Sequence, residues 1–317
     1  MMDIAEGISA FDAEWASDSP FVAAHTSGST GTPKEIRLPK ADMRLSARAT
    51  LSFFGISADG RIGAALSPEY IAGKMMIVRA RESGCSLVML PAERRPDLHG
   101  VVPLDLLAIV PAQIDGVLAQ LREIKEVRNL LVGGSPMTRA QRRTLVASGI
   151  RAWESYGMTE TCSHVALRRI VADENSPFEG MPGITFELDS RGCLCVVAPA
   201  FSWGRLVTND CAELVDSRHF RWKGRYDNVI VSGGIKLHPE ALEREYAPAL
   251  AGMEYYVCGR QDEEWGTAAV LVVEGPEVKD LDKRIASVVA NRRHLPKAII
   301  FKERFARTSN GKLIRTC

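Results

Sequence analysis

The sequence predicts an α/β protein built on a mostly parallel sheet, and three observations carry that expectation. Short apolar runs recur along the first half: Arg61–Leu66, Leu87–Pro91, Leu106–Pro111 and Asn129–Ser135. Continuous apolar runs of this length suit strands covered on both faces. Helical patterns lie between them, and several runs stop at proline or glycine, which cannot continue a buried strand. Strand and helix alternating at this rhythm argue for parallel pairing with helices on the sheet faces. With 317 residues, 46% of them apolar, the chain can fill two domains, or one large and one small.

Taken in order, residues 1–20 read as a helix or loop prelude, with Phe11 and Trp15 at i, i+4 spacing as a core-facing stripe. Phe21-Val22-Ala23-Ala24 reads as a buried strand, and Glu35–Leu38 alternates polar and apolar like another. Lys40 to Phe54 is helical, with Met43, Ala47, Leu51 and Phe54 on one face. Further helices are expected over Met75–Ala80, Gln113–Leu121, Thr138–Ser148 with Thr138 as N-cap, Glu240–Glu245 begun by Pro239, and Lys279–Asn291. Met181–Asp189 and Gly192–Pro199 predict a hairpin turning at Ser190-Arg191-Gly192. Tyr255–Gly259 and Ala268–Val273 are strand patterns. No internal repeat or low-complexity tract is present.

Composition excludes some classes. A net charge of +1 gives no electrostatic pull toward nucleic acid or an acidic membrane. No apolar run approaches bilayer length, and the acidic start lacks a signal-peptide core. Seven cysteines at irregular spacing, with no CxxC pair, read as reduced thiols in a cytoplasmic protein.

The chemistry begins at Thr26-Ser27-Gly28-Ser29-Thr30-Gly31-Thr32-Pro33-Lys34. Glycines let a backbone approach a ligand closely, free N–H groups line an anion, hydroxyls add donors, and Lys34 adds a cation. This is what a polyphosphate needs, although the string is not a Walker A loop. Composition alone would also fit a flexible Ser/Gly loop. Three further motifs follow: Tyr156-Gly157-Met158-Thr159-Glu160-Thr161, Thr208-Asn209-Asp210, and the block Gly224-Arg225-Tyr226-Asp227 through Gly233-Gly234 to Glu243. Near the end stands Ser309-Asn310-Gly311-Lys312. Glu160 offers a hard oxygen ligand of the type magnesium takes, and Asp210 offers two acceptors for two hydroxyl donors.

Together these motifs resemble those of the adenylate-forming superfamily of acyl-CoA synthetases, luciferases and adenylation domains. The resemblance implies ATP, Mg²⁺ and coenzyme A as cofactor and co-substrates. It implies that residues Thr26 to Gly31 and Lys34 hold the β- and γ-phosphates. By the same resemblance Tyr156, with Gly157, lies near adenine, Thr159 contacts the α-phosphate, and Glu160 binds the metal. Asp210 takes the ribose hydroxyls, and Arg225 contacts ribose and phosphate. Asp227 is the hinge, Gly233-Gly234 line the pantetheine channel, and Lys312 is the catalytic lysine. The implied fold is a large N-terminal domain (1–226) with mostly parallel sheets and a β-barrel-like subdomain, followed by a small mobile α+β domain (227–317).

For the acid pocket, the resemblance points to Tyr70, Lys74, Ser135, Ser163 and His164. Tyr70 stands where the family usually has histidine, and His164 fits a satisfied structural histidine equally well. The segment Ser67–Met76 looks similar to that of bacterial o-succinylbenzoate–CoA ligases of menaquinone biosynthesis, whose substrate has a second carboxylate that Lys74 would suit. Only 25 residues precede the phosphate loop, so the resemblance covers nearly all of this chain but not all of the family fold. A CoA ligase for another acid, an enzyme loading a carrier protein, and a catalytically dead nucleotide module remain open. The partners expected are a small carboxylic acid, ATP and CoA, with no nucleic acid and no membrane insertion; a homo-oligomer is compatible with this.

Overall fold

The structure is a computed structural model that describes residues 3–26, 34–124, 126–173, 175–306 and 313–317. The chain divides into two compact units. One comprises Met1–Glu187, Val196–Leu206 and Val215–Phe220; the other comprises Leu188–Cys195, Val207–Leu214 and Arg221–Cys317.

The first unit opens with α1 (Ile4–Ala16), where Phe11 is buried and its ring centroid lies 5.8 Å from that of Trp15. Strands β1 (Phe21–Thr26) and β2 (Lys34–Pro39) pair antiparallel, Thr26 opposite Lys34. Helix α2 (Lys40–Phe54) has the bounds its pattern predicts and buries Met43, Ala47, Leu51 and Phe54. Then strands and helices alternate: β3 (Arg61–Ala64), α3 (Ile71–Ser83), β4 (Ser86–Met89), β5 (Leu106–Ile109), α4 (Ile114–Ile124), β6 (Leu130–Val132), α5 (Arg139–Ser148) and β7 (Ala152–Gly157). These five strands pair in parallel, as continuous apolar runs require. Helix α3 begins four residues before the expected Met75. Gly73 weakens the local signal, but Met75 to Ala80 are all buried, and packing supplies most helical stability in proteins. Thr138 caps α5 as expected: its hydroxyl accepts from Gln141 N at 3.2 Å.

Beyond β7 the strands turn antiparallel through β8 (His164–Arg169) and β9 (Phe178–Gly180), followed by β10 (Thr185–Leu188), β11 (Cys193–Val197), β12 (Arg205–Leu214) and β13 (His219–Arg225). The sheet order is β10-β11-β12-β13-β9-β8-β7-β6-β5-β3-β4. The expected barrel-like subdomain is therefore corrected: β10 and β4 are the two edges of one open mixed sheet, and no barrel closes among the described residues.

The second unit holds the short hairpin β14 (Ile230–Ser232) and β15 (Ile235–Leu237), then α6 (Pro239–Tyr246), β16 (Tyr255–Asp262), β17 (Gly266–Glu274), α7 (Leu281–Val288) and β18 (Ala298–Lys302). β17 pairs antiparallel with β16 and parallel with β18. Leu237, Leu242, Tyr246, Val257, Leu271, Val273, Leu281 and Ile285 form its core. Helix α7 is shorter than the expected Lys279–Asn291. Val288 and Val289 are β-branched, and the Asn291 side chain accepts from Arg293 N at 3.1 Å, a local bond that competes with helix.

One expectation about the thiols is overturned. Cys258 and Cys317 form a disulfide with Cα atoms 6.1 Å apart, because the final residues lie against β16. Among the described residues, Cys85, Cys162, Cys193, Cys195 and Cys211 are buried and take no part in this bond.

Candidate functional site

In the first unit Tyr156, Gly157, Thr159, Glu160, Ser163 and His164 follow one another at and just beyond the end of β7. Tyr156 sits on that strand with its ring centroid 5.0 Å from Phe220 and 5.9 Å from Phe178. Phe178 and Phe220 stack at 5.3 Å, and Phe186 meets Phe220 edge-on at 4.7 Å. The cluster is a rigid aromatic floor of the kind a flat base can stack on. Gly157 is a glycine for a steric reason: a Cβ there would overlap the Ser163 carbonyl and lie 2.5 Å from His164 Cα.

A single 3₁₀ turn, Thr159–Thr161, follows. Thr159 is half-buried and the Glu160 side chain is exposed. Thr161 is buried, and its hydroxyl accepts from Met158 N at 3.0 Å while lying 2.9 Å from Met158 O and 2.7 Å from Ser163 O. Among the described residues no group of three or more His, Cys, Asp or Glu side chains could cage a metal. A single exposed carboxylate such as Glu160 fits magnesium, which keeps waters and takes one or two carboxylates with substrate phosphates.

Ser163 and His164 come next. The His164 imidazole is buried, with Nε2 3.0 Å from Thr50 Oγ1 and Nδ1 3.4 Å from Ser163 Oγ. Burial, and secondarily the nearby Arg79 guanidinium, hold its pKa well below the ordinary 6.5, so it is a neutral imidazole. Ser135 is exposed in the turn after β6, and Tyr70, 47% exposed, immediately precedes α3.

Lys74 requires a correction. Instead of offering a free cation to a pocket, its ammonium donates to Ala23 O at 2.7 Å, lies 3.5 Å from Glu14 Oε2, and sits 5.5 Å from the centre of the Phe11 ring. It ties α3 to β1 and α1. The cation that α3 buries most deeply is Arg79, about a turn and a half further along and 2% exposed. Its Nη2 donates to Ser163 Oγ at 2.8 Å and its Nη1 to the Met76 sulfur at 3.5 Å, while Nε has no partner. No carboxylate among the described residues pairs with it. Burial pushes its pKa down to about 9, which still leaves it charged at neutral pH. Sequence reasoning passed over Arg79. The available signal was a lone charge inside the apolar stretch Met75-Met76-Ile77-Val78-Arg79-Ala80, a pattern that places the charge in the core.

In the second unit, Asp210 on β12 is buried; its Oδ1 accepts from Trp222 Nε1 at 3.0 Å and lies 3.7 Å from Arg225 Nη1. A carboxylate has about four acceptor positions, which suits pairing with hydroxyl donors. Arg225 also reaches Asp227 Oδ2 at 3.3 Å, and Asn209 Nδ2 meets the same oxygen at 3.4 Å. Asp227 is exposed, in a 3₁₀ turn. Gly233 and Gly234 form the exposed turn of the β14–β15 hairpin with φ of +54° and +79°, which glycine adopts without strain. Ser27 to Gly31 and Lys312 lie outside the described residues; the backbone of Thr26 and Lys34 closes the β1–β2 ladder next to that loop.

Comparison with known proteins shows the family. The model of the family described as AMP-binding enzyme matches residues 5–188. Indoleacetate–CoA ligase of Aromatoleum aromaticum is 26% identical over 95% of this chain and 67% of its own length. 2-Succinylbenzoate–CoA ligase of Bacillus mycoides is 24% identical over 95% and 70%. Among solved structures, an acyl-CoA synthetase (AMP-forming)/AMP-acid ligase II-like protein from Dyadobacter fermentans is 32% identical, with a TM-score of 0.65 over 97% of this chain and 91% of that one. The o-succinylbenzoate CoA synthetase of Bacillus subtilis, in complex with an acyl-adenylate intermediate, shares the fold at 22% identity, with a TM-score of 0.77 over 92% and 67%. The family match spans more than half of the sequence and contains the Tyr156–Thr161 turn, so this chain belongs to the AMP-binding enzyme family.

Proposed function

We propose that this enzyme is an ATP-dependent acid–CoA ligase whose acid carries a second carboxylate, and that o-succinylbenzoate is that acid. The observation that supports this reading is Arg79. A guanidinium buried with only neutral partners among the described residues is costly, and an incoming carboxylate would relieve that cost. Its hydrogen-bond partner Ser163 stands two residues after the Thr159–Thr161 turn. Relatives named 2-succinylbenzoate–CoA ligase favour the same acid.

The chemistry joins two anions. An oxygen of the acid's reacting carboxylate attacks the α-phosphorus of ATP and pyrophosphate leaves; the sulfur of CoA then attacks the acyl carbon, losing its proton, and AMP leaves. The first barrier is electrostatic, so positioned positive groups lower it. In this reading Arg79 orients the acid through its second carboxylate. Tyr156 supports the base, Asp210 accepts the ribose hydroxyls, Thr159 and the Thr26–Lys34 loop hold phosphate oxygens, and Glu160 holds magnesium. Magnesium, when bound, supplies charge neutralisation on the phosphates. Lys312 brings the last cation. For the thioester step we take 227–317 to be a domain that turns about Asp227 relative to 1–226, replacing Lys312 by Gly233-Gly234.

The test is pyrophosphate release across a panel of acids, with and without CoA. Release with o-succinylbenzoate, and acyl-CoA formed only when CoA is added, is the expected result. Preference for a monocarboxylic aryl acid, a product that needs a carrier protein instead of CoA, or no release with any acid would overturn it.

A further inference from the structure

We infer that Thr161 is a positioning residue that registers Ser163, and with it the Arg79 guanidinium, with the turn carrying Thr159 and Glu160. The inference rests on the function proposed above and deepens it. The Thr161 side chain is 1% exposed, and its single oxygen meets three backbone atoms: Met158 N at 3.0 Å, Met158 O at 2.9 Å and Ser163 O at 2.7 Å. Met158 opens the turn and Ser163 lies just beyond it, so one hydroxyl staples the two ends of the segment that contains Glu160. Ser163 in turn receives the Arg79 guanidinium at 2.8 Å. A continuous path therefore runs from the cation proposed to meet the acid to the carboxylate proposed to meet the metal: Arg79, Ser163, Thr161, Met158 and Glu160.

The backbone between these points is held away from its relaxed state. Cys162 has φ 64° and ψ −33°, outside the left-handed basin as well as the right-handed one, and glycine is the residue that tolerates such a conformation. Backbone of this kind persists only where its surroundings over-determine it. Here those surroundings are the fully buried Cys162 side chain, the Cys162 N–H donated to Thr159 O at 2.9 Å, and the Thr161 hydroxyl. Without the hydroxyl the Thr159–Glu160 turn loses its tie to Ser163. An ångström of misplacement at a reacting centre is enough to cost about 10²-fold in rate.

Thr161→Val keeps the shape and removes the hydroxyl; Thr161→Ser keeps the hydroxyl. The primary readout is equilibrium binding of Mn²⁺ with α,β-methylene-ATP, followed by electron paramagnetic resonance with and without o-succinylbenzoate, so that no turnover is involved. For the wild type the acid is expected to tighten this binding by at least about fivefold, a typical coupling between linked sites. In Thr161→Val the factor should fall to within about twofold of unity, with adenylation kcat reduced about 10²-fold; Thr161→Ser should restore both. Circular dichroism and the urea midpoint identify a valine variant that has simply unfolded, in which case the serine and wild-type arms still decide: a Thr161→Ser protein without the coupling overturns the inference. So does a folded valine variant with wild-type coupling and rate, or a wild type that binds Mn²⁺–nucleotide without any response to the acid. A wild type that binds no Mn²⁺–nucleotide at all overturns the functional reading itself.

Discussion

Arg79 carries a full charge into a place where charge is expensive, and that makes its role separable from stability. Arg79→Met fills similar space without the charge, and removing a buried ion that lacks a counter-ion does not destabilise a fold. The expected result is a urea midpoint no lower than that of the wild type, together with a KM for o-succinylbenzoate raised about 10²-fold. That factor is on the order of 2.7 kcal/mol, the scale of a charged hydrogen bond. His164 gives a pH signature at the same scale. Its folded pKa is depressed, first by burial and then by Arg79, so the unfolded chain binds the proton that the folded one refuses. Stability from this group is intact above about pH 6.5 and declines as pH falls below it, by at most about 1.4 kcal/mol per pH unit. Urea midpoints taken from pH 7.5 down to 5.5 should show that slope, and His164→Asn should flatten it. Residue types such as Glu160 and Asp210 were legible as candidates from their motifs. For Arg79 the local apolar stretch signalled burial, but its partner Ser163 stands 84 residues away, and only the fold brings the two together.

At the scale of elements, helix α3 shows how a motif reading can choose the wrong face. Lys74 and Arg79 share this helix, and spacing alone does not say which of them enters a pocket. The structure turns Lys74 toward β1 and α1, where it meets Ala23 O and Glu14, and turns Arg79 into the core. Lys74→Met is therefore expected to lower stability by about 2 kcal/mol through loss of charged hydrogen bonds, with the acid KM unchanged, the reverse of Arg79→Met. A urea melt beside acid-dependent kinetics checks it. Elements with strong local signals were readable in advance: α2 over Lys40–Phe54, the Thr138 cap of α5, and the parallel order of the apolar strands. Ends governed by packing or side-chain competition were not, as the early start of α3 and the early stop of α7 show.

For the molecule as a whole, the Cys258–Cys317 bond closes a loop across 59 residues. Chain entropy assigns a loop of this length on the order of 4 kcal/mol. Treatment with a thiol reductant, or Cys317→Ser, should lower the urea midpoint of the second unit accordingly. The tail keeps other anchors: Arg315 pairs with Glu243, and Thr316 O accepts from Tyr256 OH at 2.5 Å and Lys302 Nζ at 2.7 Å. Lys312→Ala is expected to leave ATP affinity near wild type and to reduce ATP–pyrophosphate exchange by about 10²–10³-fold, the usual effect of removing one positioned positive group. Isotope exchange measures it directly. By itself the sequence determined the α/β class, the helix–strand rhythm and the motifs of a nucleotide-binding enzyme, because periodicity, turn residues and short ligand-facing strings are local properties of a chain. Only the tertiary structure decided that the sheet of the described residues stays open, that Cys258 meets Cys317, that Lys74 meets Ala23 O and Glu14, and that Arg79 is buried with no carboxylate partner among the described residues. Each of those depends on which distant residues share a space, and burial, the quantity that sets the energy of a charge or a thiol, exists only once the chain has folded.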